Sequence, residues 1–208
     1  LNGGVLATAG NLVFQGTADG YLYAYKADTG EKVWEQNIQT GIVAPPVSYM
    51  ADGEQYIAVL AGWGGVNITS GDARTSAAAK YGNEGRLLTF KVGGGKSLPQ
   101  LALRDRSIPE WPALTASEEI VKHGETVFAS HCMVCHGPLA ISPGITPDLR
   151  RMSETVRDHF QDIVRGGMLS DNGMASFGDL LSEEDVDAVK AYVQKRALED
   201  RAAQQPVN

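Results

Sequence analysis

The stretch His131-Cys-Met-Val-Cys-His-Gly137, HCMVCHG, contains both cysteines of the 208-residue chain and two of its four histidines. A Cys-x-x-Cys pair is typical of a redox dithiol or a zinc site, and a directly following histidine is the signature of covalent haem attachment. A thioredoxin-type dithiol opens a helix, whereas this pair follows a helical pattern. Structural zinc needs four ligands, and the chain has no further cysteine. The spacing therefore favours haem c, with Cys132 and Cys135 as attachment points and His136 as an iron ligand, over the dithiol and zinc alternatives.

An electron-carrying haem needs a second axial ligand, and methionine is the usual one. Of the five methionines, Met133 is sterically excluded inside the motif and Met50 lies far away in a different kind of sequence. Met174 occupies a Gly-Met-x-x-Phe loop just before a capped helix, where its thioether can reach the iron with Phe177 beside it. We predict Met174 as the sixth ligand and keep Met168 as the alternative.

The sequence around the motif predicts a small helical domain. Ser117, Ser153 and Ser182 are candidate N-caps of three helices, and Gly124 would permit a close crossing of the first helix. Acidic residues follow Ser182 in the first turn, which suits the helix dipole. The apolar positions expected on the inner faces are Ile120, Val127 and Phe128 in the first helix, Val156, Phe160, Ile163 and Val164 in the second, which Gly166 would end, and Val186, Val189, Tyr192 and Val193 in the third.

Residues 113–200 resemble a class I cytochrome c domain. The resemblance rests on the first helix, the motif Cys132 to His136, the segment Thr146-Pro147-Asp148-Leu149 and the pair Gly173-Met174. It implies that the carbonyl of Pro147 accepts a hydrogen bond from Nδ1 of the axial histidine, which would fix the tautomer of the imidazole. The family usually has proline after the axial methionine, and this chain has Ala175 instead.

The first part of the chain alternates short β-type runs with turn signals, which predicts an antiparallel all-β unit. Turns are predicted at Gly, Asn and Asp-rich positions, including Asp52-Gly53, and a loop of small residues is predicted from Gly62 to about Glu84. The predicted strands are Val5–Thr8, Leu12–Gln15, Tyr21–Lys26, Lys32–Glu35, Val47–Met50, Gln55–Ala61 and Arg86–Val92.

One segment of this β region resembles the tryptophan-docking motif of the eight-bladed propellers in PQQ-dependent alcohol dehydrogenases. It runs from Ala24 through Thr29-Gly30 to Trp34, with Lys26 where the family prefers aspartate. In that family the tryptophan packs between neighbouring blades. With the cytochrome behind it, the whole chain resembles the carboxyl-terminal part of a quinohaemoprotein alcohol dehydrogenase. The fold class predicted is an all-β propeller portion of antiparallel blades followed by an all-α cytochrome c domain.

This resemblance implies that PQQ, held with calcium in an upstream propeller portion, oxidises an alcohol and passes electrons to the haem. Trp63, in the Gly62–Gly65 loop, matches a segment that lines the PQQ site in the family and is a possible PQQ contact. The family's catalytic residues and calcium ligands would lie upstream, so this chain alone is expected to lack the alcohol-oxidising site. The alternative is a stand-alone c-type electron carrier with a β interaction domain.

The expected organisation has four parts: propeller blades over 1–92, a linker over 93–112, the cytochrome over 113–200 and a tail over 201–208. Since propellers have roughly four to eight blades of four strands each, residues 1–92 are too short to close a ring. The linker could wrap the propeller, and Trp111 is expected either to anchor it or to be a surface aromatic. No leader pattern follows Leu1 although haem c is attached outside the cytoplasm, so we expect a fragment or a processed form.

The 25 acidic and 18 basic residues give a formal net charge of −7, most of it from Pro112 onward. An acidic surface repels phosphate backbones, which excludes nucleic acid as a partner. No run of 18 apolar residues exists, so no membrane span is expected. The expected partner is a small soluble redox acceptor, a cupredoxin or a cytochrome, and the expected location is the periplasm.

Overall fold

A computed structural model of the chain describes residues 2–62, 76–142, 144 and 146–204. It divides into two units. The first, called the β unit here, comprises Leu1–Arg104 with Pro143–Ile145. The second, the helical unit, comprises Asp105–Ser142 with Thr146–Asn208. The antiparallel sheets thus precede the helical part, in the order that the sequence predicts.

Two antiparallel sheets form the described part of the β unit. The first contains four strands in chain order, β1 to β4, and the second contains β5 to β7. All seven runs predicted from alternation are strands, although several ends differ by a few residues. Their bounds are Asn2–Ala7, Leu12–Thr17, Tyr21–Lys26, Lys32–Asn37, Val47–Ala51, Glu54–Ala61 and Arg86–Lys91.

The tight connection between β5 and β6 confirms one predicted turn. Ala51 pairs with Glu54, so only Asp52 and Gly53 lie between the paired strands. Both have positive φ, 50° and 76°. A two-residue hairpin needs this backbone, and Asp-Gly adopts it at low cost.

The two sheets share one apolar core within the β unit. Leu22 and Ile38 from the first sheet region and Val59 from β6 are fully or almost fully buried in it. Trp34 on β4 lies edge-on to Phe90 on β7, with ring centroids 5.5 Å apart. The tryptophan of the predicted docking motif therefore contacts the neighbouring sheet, although it stays 37% exposed.

The loop predicted from Gly62 to Glu84 contains a short helix, α1, Ala77–Tyr81. Ser76 caps it by accepting a hydrogen bond from the backbone N–H of Ala79, and the first three alanines are buried. The signal was present as a serine before an alanine run. Residues 63–75, which include Trp63, lie outside the described residues.

The helical unit begins its regular structure after Ser117. Ser117, Ser153 and Ser182 all accept a hydrogen bond from the backbone N–H three residues later, which confirms the three predicted N-caps. The second predicted helix is interrupted at His159, whose φ and ψ of −95° and 19° are not helical. The helices are α2 Glu118–His131, α3 Met133–His136, α4 Glu154–Asp158, α5 Phe160–Val164 and α6 Glu183–Gln204, with 3₁₀ turns at Pro138–Ala140, Leu149–Arg151 and Ser170–Asn172.

Helices α2 and α6 pack closely through Gly124. A Cβ built there would lie 1.9 Å from the carbonyl oxygen of Ala188, which confirms that this position requires glycine. Phe128 and Tyr192 meet beside this crossing with ring centroids 5.2 Å apart. The predicted inward position of Ile120 is wrong, since its side chain is 47% exposed. The buried stripe of α2 instead begins one residue later, at Val121. It continues through Gly124 and Phe128, which lie three and seven residues further on and therefore on the same side of the helix.

The predicted linker divides between the two units. Its first half bonds to the β unit, where Arg86 Nη2 donates to Pro99 O at 2.8 Å. Its second half packs on the helical unit, where Ile108 and Trp111 are buried in the core. Trp111 is therefore buried, and it anchors the second half of the linker to the helical unit.

Among the described residues, no helix combines the length and the apolar character that crossing a membrane requires.

Candidate cofactor site

The haem-attachment motif forms a single tight turn at the end of α2. The backbone N–H groups of Cys135 and His136 both donate to Cys132 O, at 3.2 and 2.9 Å. Gly137 ends the turn with φ of 77°, a conformation that favours glycine. Because Cys132 and Cys135 are three residues apart in a helical turn, their side chains lie on one side of it.

His136 is buried and held by one hydrogen bond. Its Nδ1 lies 3.2 Å from the carbonyl oxygen of Pro147. A carbonyl only accepts, so Nδ1 carries the proton and Nε2 keeps its lone pair. Burial lowers the pKa of the imidazole, outweighing the opposing effects of the Pro147 carbonyl and the Asp148 carboxylate. The ring is thus neutral and presents Nε2 as a potential metal ligand.

The two thiols have different surroundings. Cys132 is buried and Cys135 is exposed. Burial first, and the neighbouring Cys135 second, raise the pKa of the Cys132 thiol to about 11. A redox dithiol needs the opposite shift, because the thiolate is the reactive form. This environment disfavours the dithiol interpretation.

The methionines considered as the sixth ligand occupy distinct positions. Met174 follows Gly173, whose φ is 90°, and its backbone N–H donates to Leu169 O at 3.1 Å. Its side chain packs against the core of the helical unit, as does that of Phe177. Met168 is 55% exposed, and Met152 is buried within the core. Met174 thus lies partly buried at the end of an ordered loop.

These residues offer a donor set that fits c-type haem. Two thiols stand one turn apart, an imidazole has its Nδ1 committed, and a thioether lies partly buried on the same core. Cys132 and Cys135 could form the thioether bonds, and His136 Nε2 and the Met174 sulfur are candidate ligands for the iron. Across the described ranges, no group of three or more His, Cys, Asp or Glu side chains is placed to hold a metal ion.

A buried ion-pair network beside the site was missed by the sequence interpretation. Arg150 is 8% exposed and binds the carboxylates of Asp148 and Asp200. Its carbonyl oxygen accepts a hydrogen bond from Trp111 Nε1 at 2.9 Å. An acidic residue two positions before an arginine is too common to identify such a network. Its third member is 50 residues away along the chain.

Comparison with protein families gives two matches. Residues 1–57 match the family model described as the β-propeller domain of glucose, ethanol and alcohol dehydrogenases. Residues 119–193 match the model described as cytochrome c oxidase, cbb3-type, subunit III. The order of the two matches follows the order of the β unit and the helical unit.

Comparison with individual proteins extends the likeness to nearly the whole chain. Quinohemoprotein alcohol dehydrogenase ADH IIB of Pseudomonas putida is 46% identical over 204 residues, which cover 97% of this chain. The solved structure of ADHIIG from Pseudomonas putida HK5 covers 98% of the chain at 38% identity with a TM-score of 0.79. That of the Comamonas testosteroni quinohemoprotein alcohol dehydrogenase covers 99% at 36% identity with a TM-score of 0.75. The chain spans only 29%, 30% and 28% of these proteins, respectively.

Proposed function

We propose that this chain forms the electron-transfer end of a quinohaemoprotein alcohol dehydrogenase. Over nearly its whole length it corresponds to the carboxyl-terminal part of such enzymes. The observation that carries this proposal is the arrangement at His136. A neutral, buried imidazole with its Nδ1 bound to Pro147 stands one turn after two cysteines. That arrangement suits a permanently held one-electron centre.

The proposed division of the chain follows its sequence. Residues 1–92 form the last blades of the propeller, 93–112 the linker, 113–200 the cytochrome c domain and 201–208 a tail. The contacts of Ile108 and Trp111 with the helical core support a linker whose second half belongs structurally to the cytochrome.

Each proposed site residue has a separate role. A covalently bound haem c supplies one-electron chemistry at its iron. Cys132 and Cys135 would hold it by thioether bonds, and His136 would ligate the iron through Nε2. Met174 would supply the second protein ligand and raise the potential, as methionine does in cytochromes c. Pro147 keeps the proton of His136 on Nδ1.

The β unit supports an origin in a larger propeller. Its second sheet buries one face against the first sheet and exposes the other. On that outer face Leu60 and Leu87 pair across β6 and β7 and are 62% and 69% exposed. These two leucines form an apolar patch at one end of that face, and we propose that an upstream blade covers it. We place PQQ and calcium in that upstream portion, with Trp63 as a contact to PQQ.

The acceptor is proposed to be a small soluble redox protein, a cupredoxin or a cytochrome, in the periplasm. The chain carries a formal net charge of −7. A strongly acidic surface favours basic or apolar partners and accelerates their encounter at low ionic strength. An alcohol is the proposed source of the electrons in the complete protein.

The proposal is tested by reducing the haem with ethanol. Oxidation of an alcohol needs a positioned base and an electrophilic cofactor, and a six-coordinate haem provides neither. We expect no reduction by ethanol in the 208 residues alone, and rapid reduction when the upstream portion, PQQ and calcium are joined to them. Dithionite provides the control that both proteins contain reducible haem.

Two results would contradict the proposal. Reduction by ethanol in the isolated chain would place the alcohol-oxidising site within these residues. No reduction in the complete, PQQ-loaded protein would favour the stand-alone carrier.

A further inference from the structure

We infer that Arg150 is a positioning residue for the axial histidine, acting through Asp148 and the carbonyl of Pro147. The inference rests on the proposed haem site and goes one layer beyond it. The Pro147 acceptor follows from the resemblance to cytochromes c, whereas the arginine clamp is specific to what this chain places behind that acceptor.

The first step is the clamp itself. Arg150 Nε donates to Asp148 Oδ1 at 2.9 Å and Nη2 donates to Asp148 Oδ2 at 2.5 Å. The guanidinium thus binds the carboxylate in a bidentate contact. The backbone N–H of Arg150 also donates to Asp148 Oδ1, at 3.2 Å. Both side chains are only 10% exposed. A two-point contact fixes direction as well as distance, so the backbone of Asp148 has little freedom.

The second step links the clamp to His136. The carbonyl that accepts from Nδ1 belongs to the peptide bond between Pro147 and Asp148. The ring of Pro147 fixes its own φ, so the direction of this carbonyl depends on how that peptide is rotated. Asp148, on the other side of the same peptide, is held by Arg150. The clamp therefore determines where the acceptor points.

The third step shows that the clamp is anchored to the body of the helical unit. Arg150 Nη1 donates to Asp200 Oδ2 on α6 at 2.7 Å, and Arg196 holds the same carboxylate at 3.3 Å. Trp111 Nε1 donates to the carbonyl of Arg150. Before Pro147, Thr146 Oγ1 donates to Cys135 O at 2.5 Å. The acceptor segment is thus tied to the motif at one end and to α6 at the other.

The consequence is electronic. A hydrogen bond from Nδ1 to a well-placed acceptor raises the electron-donor strength of a ligating imidazole. A stronger donor favours the oxidised state and lowers the reduction potential. If the clamp is loosened, the Nδ1 hydrogen bond weakens, the proton on Nδ1 exchanges faster with solvent, and the potential rises.

The test uses the full holoprotein in three versions: unmodified, Arg150→Gln and Arg151→Gln. Arg151 is the matched control because it lies in the same 3₁₀ turn, and its only described ion pair is a 3.6 Å contact with the exposed Asp105. The readouts are the reduction potential and the NMR exchange rate of the His136 Nδ1 proton in the reduced state. We expect R150Q to raise the exchange rate by tenfold or more and R151Q to leave it unchanged. Both variants lose one positive charge, which by itself lowers the potential, so the expected effect of the clamp is a higher potential in R150Q than in R151Q.

The outcomes separate positioning from mere stability. A lower unfolding temperature in R150Q with the potential of R151Q and unchanged exchange would overturn the inference. If R150Q yields no holoprotein, Asp200→Ala decides, since it removes the acceptor on α6 and leaves the contact between Arg150 and Asp148 intact. Faster Nδ1 exchange in D200A supports the inference, and an unchanged rate overturns it. Absence of covalent haem in the unmodified protein would refute the proposed function instead.

Discussion

The helical unit and the β unit differ in how completely they bury their large apolar side chains. The helical unit closes a core around Phe128 and Val193, and its buried Arg150 binds the carboxylates of Asp148 and Asp200. The β unit buries one face of its second sheet and leaves Leu60 and Leu87 on the other face mostly exposed. The proposed haem site lies in the helical unit, whereas the β unit leaves these leucines of a sheet face in contact with solvent.

This difference separates two kinds of dependence. The helical unit depends on what it encloses, since haem would supply much of the interior of so small a domain. The β unit depends on what lies outside it. The predictions below are arranged to break or sharpen that contrast.

The largest effect is expected at the sixth ligand. Replacing Met174 with alanine removes the thioether, so the weak band at the red end of the oxidised spectrum should vanish and the potential should fall. Met168→Ala is the matched control, because that side chain is 55% exposed in the same loop region and should leave both unchanged. Visible spectroscopy and potentiometry measure the two effects. Exchanged results would transfer the ligand role to Met168.

In the helical unit, the helix caps and the attachment motif could be predicted from the sequence. Ser117, Ser153 and the motif depend on local spacing, which the sequence displays directly. The break at His159 and the exposure of Ile120 depend on how neighbouring segments pack, which local periodicity does not contain. The Arg150 clamp depends on Asp200, far along the chain.

In the β unit, alternation located every strand that the structure describes, and Gly-containing turns located their ends. It could not reveal that Ala77–Tyr81 forms a helix inside a loop, because five residues are too few for a periodic pattern. Nor does alternation tell which face of a sheet is covered. The exposure of Leu60 and Leu87 became apparent only from the pairing of β6 with β7.

A glycine in each unit gives the next contrast. Gly124→Ala would place a Cβ 1.9 Å from the Ala188 carbonyl, and helix backbone cannot yield without separating α2 from α6. At Gly16 the three atoms nearest to an added Cβ all belong to the side chain of Ile42, the closest at 2.1 Å. We expect G124A to cost the helical unit about 3 kcal/mol, despite the better helix propensity of alanine, and G16A to cost the β unit less.

Hydrogen exchange resolved by residue is the measurement, since it assigns the loss to one unit. Gly95→Ala is the control, because a Cβ there would contact nothing within 4 Å. Equal losses in G124A and G95A would show that the helix crossing tolerates a side chain.

The exposed face of the second sheet should respond in opposite ways in the short and the complete protein. Leu87→Lys should make the 208-residue chain less prone to associate, since it breaks an apolar patch. In the complete protein the same change should cost about 2 kcal/mol, because a covering blade would bury that side chain. Val92→Lys is the control at a site that is 99% exposed.

Sedimentation of the short chain and thermal unfolding of the complete protein measure the two effects of L87K. A complete protein as stable with lysine as with leucine at this position would mean that no blade covers the face. The contrast between the units would then lose its explanation.

The smallest effect concerns the start of α6. Ser182 and Asp185 form a reciprocal cap, in which the backbone N–H of Ser182 donates to Asp185 Oδ2 at 3.0 Å and that of Asp185 donates to Ser182 Oγ at 3.1 Å. The backbone bond from Ser182 first, and the side-chain bond from His123 next, hold the pKa of Asp185 below its ordinary value of 3.8.

The pKa of Asp185 is lower in the folded state than in the unfolded state. The ionised carboxylate therefore stabilises the fold at pH values above the unfolded-state pKa, and this stabilisation disappears as the pH falls through the folded-state pKa. Asp185→Asn should therefore lower the unfolding temperature slightly at pH 7, and the gap to the unmodified protein should close in acid. Glu184→Gln removes a charge from the same turn without touching the cap and controls for the helix dipole. Unfolding followed by circular dichroism between pH 3 and pH 7 gives the answer. If the unfolding temperatures of D185N and E184Q depend on pH in the same way, the effect comes only from the interaction of the negative charge with the helix dipole. The cap hydrogen bonds of Asp185 would then add no stability of their own.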